Sequence, residues 1–526
     1  HKLPPRITTV DEADVIDAAA QKWTQTAVYS YSDAQGTIVQ EVYPSAILIE
    51  SGSDERLYGI EADRRFGQRG PAPGSFYLPS IKRHLRSYAE GGTIGMDGFS
   101  ARYDVAELLT GFLRSLRDSI RASGMVQPDE PLEAAITWPA NANGAQRHIT
   151  RQCFREAGFE VLSTLNEPTA SAIELADCLT AGRGGRARQA PSAVAVFDLG
   201  GGTFDASVVW IDGDDFHVLT STGIEDLGGD DFDRVLLEMS LEKLKLSPDA
   251  LVPLTRHALL RQARVQKETI SGGMVKTLFM NPMDFGIQGF PVSIPVSAYY
   301  ERLRPMLAPA VAKLRSVIEQ AADREPRVHI DEGLTIYLVG GSSRLPLVSQ
   351  MVAEAFPRCR TVLTDKPFTS VAMGAAICAM DRVRYREVFA RHFGLIRLRD
   401  HGRAEFFDLI FPAGTPIPRK GEGPLERTAW YHPHHNIGHL RYLECTSIGP
   451  NGLPDGNVRA WSDVLFPYDP SMPLSRQPVN EPIVDTEEFS SMTVCEVYRC
   501  DSDGVITVEL RRPATDEVRT LEIFQE

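Results

Sequence analysis

Apolar residues in this chain change their spacing once. Up to about Met380, short apolar runs alternate with longer segments of helical spacing; from about His392, short alternating segments take over. Val194–Asp198 (VAVFD) is a near-continuous apolar run that ends in an acid and then three glycines, the mark of a buried strand feeding a turn. Thr335–Val339 (TIYLV) repeats the pattern, running into Gly340-Gly341 and then a helix over Leu345–Phe356. Ala134–Trp138 is a third strand candidate, and Asn143 is placed to cap a following helix whose Ile149, Cys153 and Phe154 share a face. Strands alternating with helices predict α/β layers. The recurrence of strand followed by glycine turn predicts two similar halves facing one cleft.

In Val505–Leu510 (VITVEL), Ile506, Val508 and Leu510 fall on one face, Thr507 and Glu509 on the other. Asp503-Gly504 just before them is a hairpin-turn pair, and Leu521 and Ile523 continue the alternation. An antiparallel β-sandwich over 392–526 is therefore expected, with Gly449–Glu487, rich in Pro, Asp and Gly, as a long loop or insertion. The α/β part takes 1–383. Residues 384–391, within Asp381–His392 (DRVRYREVFARH), are the expected link.

With 526 residues, 43% hydrophobic and 24% charged, the chain is long enough for several globular domains. Its net charge of −15 disfavours a dedicated nucleic-acid binder, which needs a basic face. The basic stretch Gly182–Arg188 reads as a solvated loop. Seven scattered cysteines without a C-x-x-C fit a reducing compartment. No apolar run approaches the ~20 residues of a membrane helix, and the first residues, beginning at His1, lack a signal-peptide core. A cytoplasmic protein with neither membrane nor nucleic-acid partners is expected.

Three glycine segments carry the candidate chemistry. In Asp198-Leu199-Gly200-Gly201-Gly202-Thr203-Phe204-Asp205, glycines let the backbone approach a phosphate chain, and successive N–H groups form an anion nest. Asp198 is placed for a hydrated Mg²⁺ and Thr203 for a γ-phosphate. In Leu338-Val339-Gly340-Gly341-Ser342-Ser343-Arg344, paired glycines admit a flat base or ribose, on which the Arg344 guanidinium can stack. Leu227-Gly228-Gly229-Asp230-Asp231-Phe232-Asp233 places another glycine pair before an acidic helix start. Plain structural alternatives stand beside each: a tight turn for the first, an ordinary strand–turn–helix for the second, an N-capped helix for the third.

Together and in this order, these segments resemble the DnaK-type heat-shock chaperone ATPases (the heat-shock 70 kDa family), within the wider actin and sugar-kinase fold. Asn166-Glu167-Pro168-Thr169-Ala170-Ser171-Ala172 is similar to the family's NEPTAAA segment, Trp138-Pro139-Ala140 with Gln146-Arg147 to its VPA…QR segment, and Ser80-Ile81-Lys82-Arg83 to the segment with its catalytic lysine. Phe407–Pro418 and Val494–Ile523 resemble its peptide-binding sandwich, so the likeness runs from about Tyr43 to the C-terminus. It implies a two-lobed α/β actin-like (ribonuclease H-like) ATPase domain followed by an antiparallel β-sandwich domain. ATP or ADP with Mg²⁺ would bind in the first domain and an unfolded or extended client polypeptide in the second, with co-chaperones as further partners. By position, Lys82 would orient the attacking water or neutralise the γ-phosphate. Glu167, Asp198 and Thr203 would position Mg²⁺ and water. Gly200, Gly201, Gly202, Gly228, Gly229, Gly340, Gly341 and Ser342 would line the nucleotide site, with Lys267, Ser271 and Arg344 at the adenosine. Pro139 and Arg147 would relay the nucleotide state. Outside that context, Lys82 reads as a solvated surface lysine.

The chain departs from the family in several places. No I-D-L-G-T-T phosphate loop is found: Ile16–Val28 has no glycine, Asp14 and Asp17 are weak replacements, and Asp11–Gln21 reads better as a helix. Slow or absent hydrolysis would follow, because lost preorganised groups raise the barrier; a sequence lacking its natural start explains the same gap. Arg264 stands where the family has a ribose-contacting glutamate, and Phe368 and Thr369 where it has an acidic pair. The link lacks the family's acidic–leucine run, and no helical lid follows the sandwich before Glu526, which implies fast peptide release. His432, His434, His435 and His439 form a cluster outside the family pattern, read as a polar β-loop with metal binding as the alternative. The readings thus open are an ATP-regulated DnaK-like chaperone, a weak or inactive pseudo-ATPase acting as a binding scaffold, and an actin-fold small-molecule kinase.

Overall fold

The computed structural model describes residues 7–9, 29–33, 36–40, 42–52, 55–69, 74–87, 92–95, 102–123, 126–127, 129–180, 192–287, 290–328, 334–399, 404–474, 478, 481–484, 489, 491–512 and 515–523. Asp11–Gln21, Ile16–Val28 and Gly182–Arg188 lie outside the described residues. Two compact units appear: His1–Asn141 with Ile149–Arg384, and Ala142–His148 with Tyr385–Glu526.

In the first unit, strands β1 (Glu133–Trp138) and β2 (Glu160–Asn166) pair in parallel; helix α1 (Gly144–Glu156), which follows β1 in the chain, belongs to this unit from Ile149 on. Asn143 caps α1 as expected, its side-chain oxygen accepting from the Gln146 N–H at 2.8 Å. Helix α2 (Glu167–Thr180) follows β2 directly. Next come β3 (Ala193–Leu199), β4 (Phe204–Asp212), β5 (Asp215–Ile224), helices α3 (Gly229–Leu244), α4 (Pro253–Thr269) and α5 (Val296–Arg324), strand β6 (Leu334–Val339), α6 (Pro346–Ala355), β7 (Arg360–Leu363) and α7 (Ser370–Ala379). Among the described residues, the central sheet runs Ile7–Thr9, β7, β6, β3, β4, β5, Arg384–Arg386.

All seven residues of β3 are buried, which explains why its sequence does not alternate. Ala193, Ala195, Phe197 and Leu199 join a large core with Leu303, Leu307, Leu314 and Val317 of α5. Val194, Val196 and Asp198 point to the opposite face, where α2 packs.

One expectation needs correction. The two strand–glycine turns do not belong to two halves facing across a cleft. Strands β3 and β6 are parallel neighbours in a single sheet, in register from Ala193↔Leu334 to Asp198↔Val339. Parallel strands in register bring their carboxyl ends together, so both turns emerge side by side, where open α/β sheets bind ligands.

Among the described residues of the second unit, two four-stranded antiparallel sheets are formed by β8 (His392–Arg399), β9 (Ala404–Phe411), β10 (Leu425–Tyr431), β11 (Ile437–Cys445), β12 (Arg459–Pro467), β13 (Val494–Cys500), β14 (Ile506–Arg512) and β15 (Glu517–Glu522). The sheets run β9-β8-β11-β12 and β10-β13-β14-β15 and share one core, with Phe393, Tyr442 and Phe466 from the first and Tyr498, Ile506, Val508 and Leu510 from the second. Gly449–Glu487 is not simply a loop: it contains β12, whose Val464 and Phe466 are buried. The Pro-, Asp- and Gly-rich flanks masked that strand. Residues 384–391 make contacts of their own. Arg384 pairs with Asp215, Phe389 N–H donates to the Thr415 carbonyl, and Ile417 N–H donates to the Glu387 carbonyl.

A charged network sits inside the sandwich. Arg397 bonds Asp408 and the fully buried Glu496, which also accepts from the hydroxyls of Tyr431 and Tyr498. Burial works against the Arg397 cation, but Glu496 outweighs it and holds the cation charged. Removing one partner strands a buried charge. Arg397→Met is expected to cost about 3–5 kcal/mol in urea unfolding; Arg302→Met, which breaks the exposed pair with Glu242, is expected to cost under about 1 kcal/mol.

Candidate functional site

The turn after β3 is closed by Gly200 N–H donating to the Thr203 carbonyl at 3.1 Å. The second glycine segment lies against it: Gly229 N–H donates to the Gly200 carbonyl at 3.0 Å and Asp230 N–H to the Gly201 carbonyl at 2.7 Å. A Cβ on Gly228 would stand 2.6 Å from the Gly201 carbonyl and the Gly202 nitrogen, so the contact admits no side chain. The Asp231 carboxylate accepts from Gly228 N–H at 2.8 Å and fixes the start of α3.

The third turn closes the set. Gly340 adopts φ +82°, and a Cβ there would meet the Leu199 carbonyl at 2.4 Å and Asp198 Oδ1 at 2.6 Å. Ser342 Oγ donates to the Gly200 carbonyl at 2.8 Å. From α4, buried Lys267 Nζ donates to the Gly229 carbonyl at 2.7 Å and pairs with Asp233 at 2.7 Å. Gly200, Gly201, Gly202, Gly228, Gly229, Gly340, Ser342 and Lys267 are thus brought together. Gly341 lies against the ring of Phe368. Half-buried Ser271 and exposed Arg344 are not bonded to this cluster.

Beside the turns lies a group of carboxylates. Asp198 on β3 stands directly opposite Asp205 on β4, and both point to the face covered by α2. The first residue of α2 is Glu167, whose Oε1 lies 2.5 Å from Lys82 Nζ. Lys82 opens the 3₁₀ turn Lys82–Ser87. Burial disfavours its ammonium, but Glu167, Asp205 and Asp198 outweigh that and raise its pKa. Burial, then Glu167 and Asp205, pushes the Asp198 carboxyl up to about 8. Burial and Glu167 push Asp205 up to about 7, against Lys82 and hydrogen bonds from the Asn141 backbone and Thr203.

Asp205 belongs to the site although sequence reasoning assigned it no role. The signal was its place in the octet: a four-residue turn makes positions 198 and 205 cross-strand partners. Arg83 was also missed. Its guanidinium reaches Asp230 at 3.2 Å and Asp231 at 3.1 Å, and its Nε lies 2.5 Å from where a Cβ on Gly202 would be. Arg264, in place of the family glutamate, pairs with Glu268 at 3.4 Å.

Pro139 is buried just beyond β1. Arg147 falls in the second unit, its Nε donating to the Ala142 carbonyl at 3.2 Å. Burial lowers its pKa, against the support of Glu444 and Glu387. In the histidine cluster, His439 pairs with Asp463, and His432 Nδ1 lies 2.7 Å from the Met492 carbonyl. Among the described residues, no group of three or more His, Cys, Asp or Glu side chains is placed to hold a metal ion, and no helix is long and apolar enough to cross a membrane.

A mixed sheet whose parallel strands end in mutually bonded glycine turns is an α/β arrangement of the kind at whose strand ends ligands bind in open sheets. The family model described as "Hsp70 protein" matches residues 94–384, just over half of the chain. The chain belongs to the Hsp70 family, which implies an actin-like ATPase domain and a β-sandwich. It is 36% identical over 251 residues to a "Chaperone protein HscA homolog" of Pseudomonas fluorescens, covering 48% of this chain and 37% of that protein. A protein of the same description from Acidithiobacillus ferrooxidans is 32% identical over 296 residues, 55% of this chain and 44% of the relative. "Chaperone protein dnaK1" of Synechocystis is 30% identical over 257 residues, 48% of this chain and 35% of the relative. The matched stretch spans less than half the length of each relative.

The close approach of the turns is testable by itself. Gly228→Ala and Gly340→Ala should each lower stability by about 1–3 kcal/mol through forced overpacking. Gly272→Ala, with nothing within 4 Å of the added Cβ, should change it by no more than about 0.5 kcal/mol in the same urea titration.

Proposed function

We propose that the first unit binds ATP or ADP through the three glycine turns and hydrolyses ATP slowly, and that the protein acts as a DnaK-like chaperone. The observation that carries this reading is the hydrogen-bonded convergence of the three turns beside the Lys82–Glu167 pair and the Asp198–Asp205 carboxylates. Backbone N–H groups of Gly201, Gly202 and Thr203 would take the phosphates, with Thr203 Oγ on the γ-phosphate. Ser342, Lys267, Ser271 and Arg344 would hold the nucleoside.

Mg²⁺ would sit among these carboxylates. Three carboxylates face one ammonium, and two of them are held toward their protonated forms by burial and mutual repulsion. Mg²⁺ keeps its waters and would be held by one or two carboxylates, here Asp198 and Glu167, together with phosphate. Bound there, it would neutralise developing phosphate charge. Lys82 would place its ammonium on the γ-phosphate or orient the attacking water, with Glu167 fixing its position. Phosphoryl transfer asks mostly for positioning and charge neutralisation, which this residue set supplies in kind.

In the second unit, an extended apolar segment of a client would bind by strand-like contacts. Pro139 and Arg147 would relay the nucleotide state, co-chaperones would be further partners, and the proposed location is the cytoplasm. The relatives named as chaperones support this assignment.

Single-turnover hydrolysis of Mg-ATP with the full chain in excess is the test. Wild type should turn over, and Lys82→Ala and Thr203→Ala should each lose roughly 100-fold or more. ATP should also speed release of a fluorescent extended peptide. Binding without turnover in any variant would favour the pseudo-ATPase scaffold instead.

A further inference from the structure

We infer that Phe368 is a stacking platform for the nucleotide base, so that this site grips a purine by its flat face and reads the base edge only weakly. The inference rests on the nucleotide reading proposed above.

The turn that carries Phe368 is fixed to the strand that carries the third glycine turn. Beyond β7, Thr364 N–H donates to the Leu338 carbonyl of β6 at 3.0 Å. Lys366 N–H then bonds the Thr364 hydroxyl at 3.0 Å, and the Lys366 carbonyl accepts from Thr369 N–H at 3.2 Å and Ser370 N–H at 3.0 Å. Pro367 stands at the second position of this turn, where its fixed φ favours closure, and Phe368 at the third. Helix α7 begins two residues later. Phe368 is therefore held in register with Gly340 and Gly341.

Its ring lies on the glycine backbone: a Cβ on Gly341 would stand 2.9 Å from Cε1 and 3.3 Å from Cζ. Yet Phe368 remains 60% exposed. A single exposed aromatic residue is ordinary. Here, however, the turn is pinned, one side of the ring rests on a nucleotide-site glycine, and most of its surface is open to solvent. A phenyl ring has no group to bond a base edge; it offers a π surface, and every base has a face to stack on it, worth about 5- to 150-fold in affinity.

The test is calorimetric titration of the full chain with ADP, GDP and inorganic pyrophosphate, comparing wild type, Phe368→Ala and Phe368→Trp. Wild type should bind ADP and GDP within about tenfold of each other, because stacking is tolerant of base identity. Phe368→Ala should weaken both by about 5- to 150-fold, leave pyrophosphate unchanged, and be rescued in Phe368→Trp. Nucleotide affinity unchanged in Phe368→Ala, or GDP rejected by wild type, would overturn the stacking inference and leave the nucleotide site standing. Wild type that binds neither ADP nor pyrophosphate would overturn the nucleotide reading itself.

Discussion

Asp198 and Asp205 face each other across an antiparallel ladder, and α2 buries the face on which they sit. Two like charges directly opposite each other in a sheet are unfavourable, and burial adds to the cost. The sheet offsets this with the Lys82 ammonium, itself steadied by Glu167 at the first position of the covering helix. Cation and carboxylates are therefore mutually dependent. Burial works against charge on both sides: the carboxylates outweigh it at Lys82 and keep the ammonium charged, whereas Lys82 only partly offsets it at Asp198 and Asp205, which stay pushed up toward protonation.

The second constraint is steric. Three chain segments far apart in sequence meet at the ends of β3 and β6, and they meet through backbone. Gly228 against Gly201–Gly202, and Gly340 against Leu199, leave no volume for a Cβ. Such contacts position peptide N–H groups with little freedom to rearrange, which is the preorganisation that phosphate binding requires. Arg83, reaching Asp230 and Asp231 beside Gly202, adds a further tie at the same place.

Much of this was legible in the sequence because it is local. The buried runs at Val194 and Thr335, the cap at Asn143 and the alternation from Ile506 to Leu510 each correspond to a described element. What the sequence hid depends on pairing. Parallel adjacency of β3 and β6 cannot be read from two similar motifs, which fit a pseudo-repeat equally well. Asp205 gained its place only through register with Asp198, and Arg83 through a contact with residues some 150 positions away. Strand β12 was concealed by the Pro-, Asp- and Gly-rich stretches around it, although its Val464 and Phe466 keep the period of two.

Amide hydrogen exchange of the full chain, with and without saturating Mg-ADP, tests the central claim most directly. If the three turns form one phosphate-binding surface, protection should rise together at Gly200–Thr203, at the Gly228–Asp230 segment and at Gly340–Ser342. Protection at only one of these segments, or at none, would contradict a shared nucleotide site built on the ends of β3 and β6.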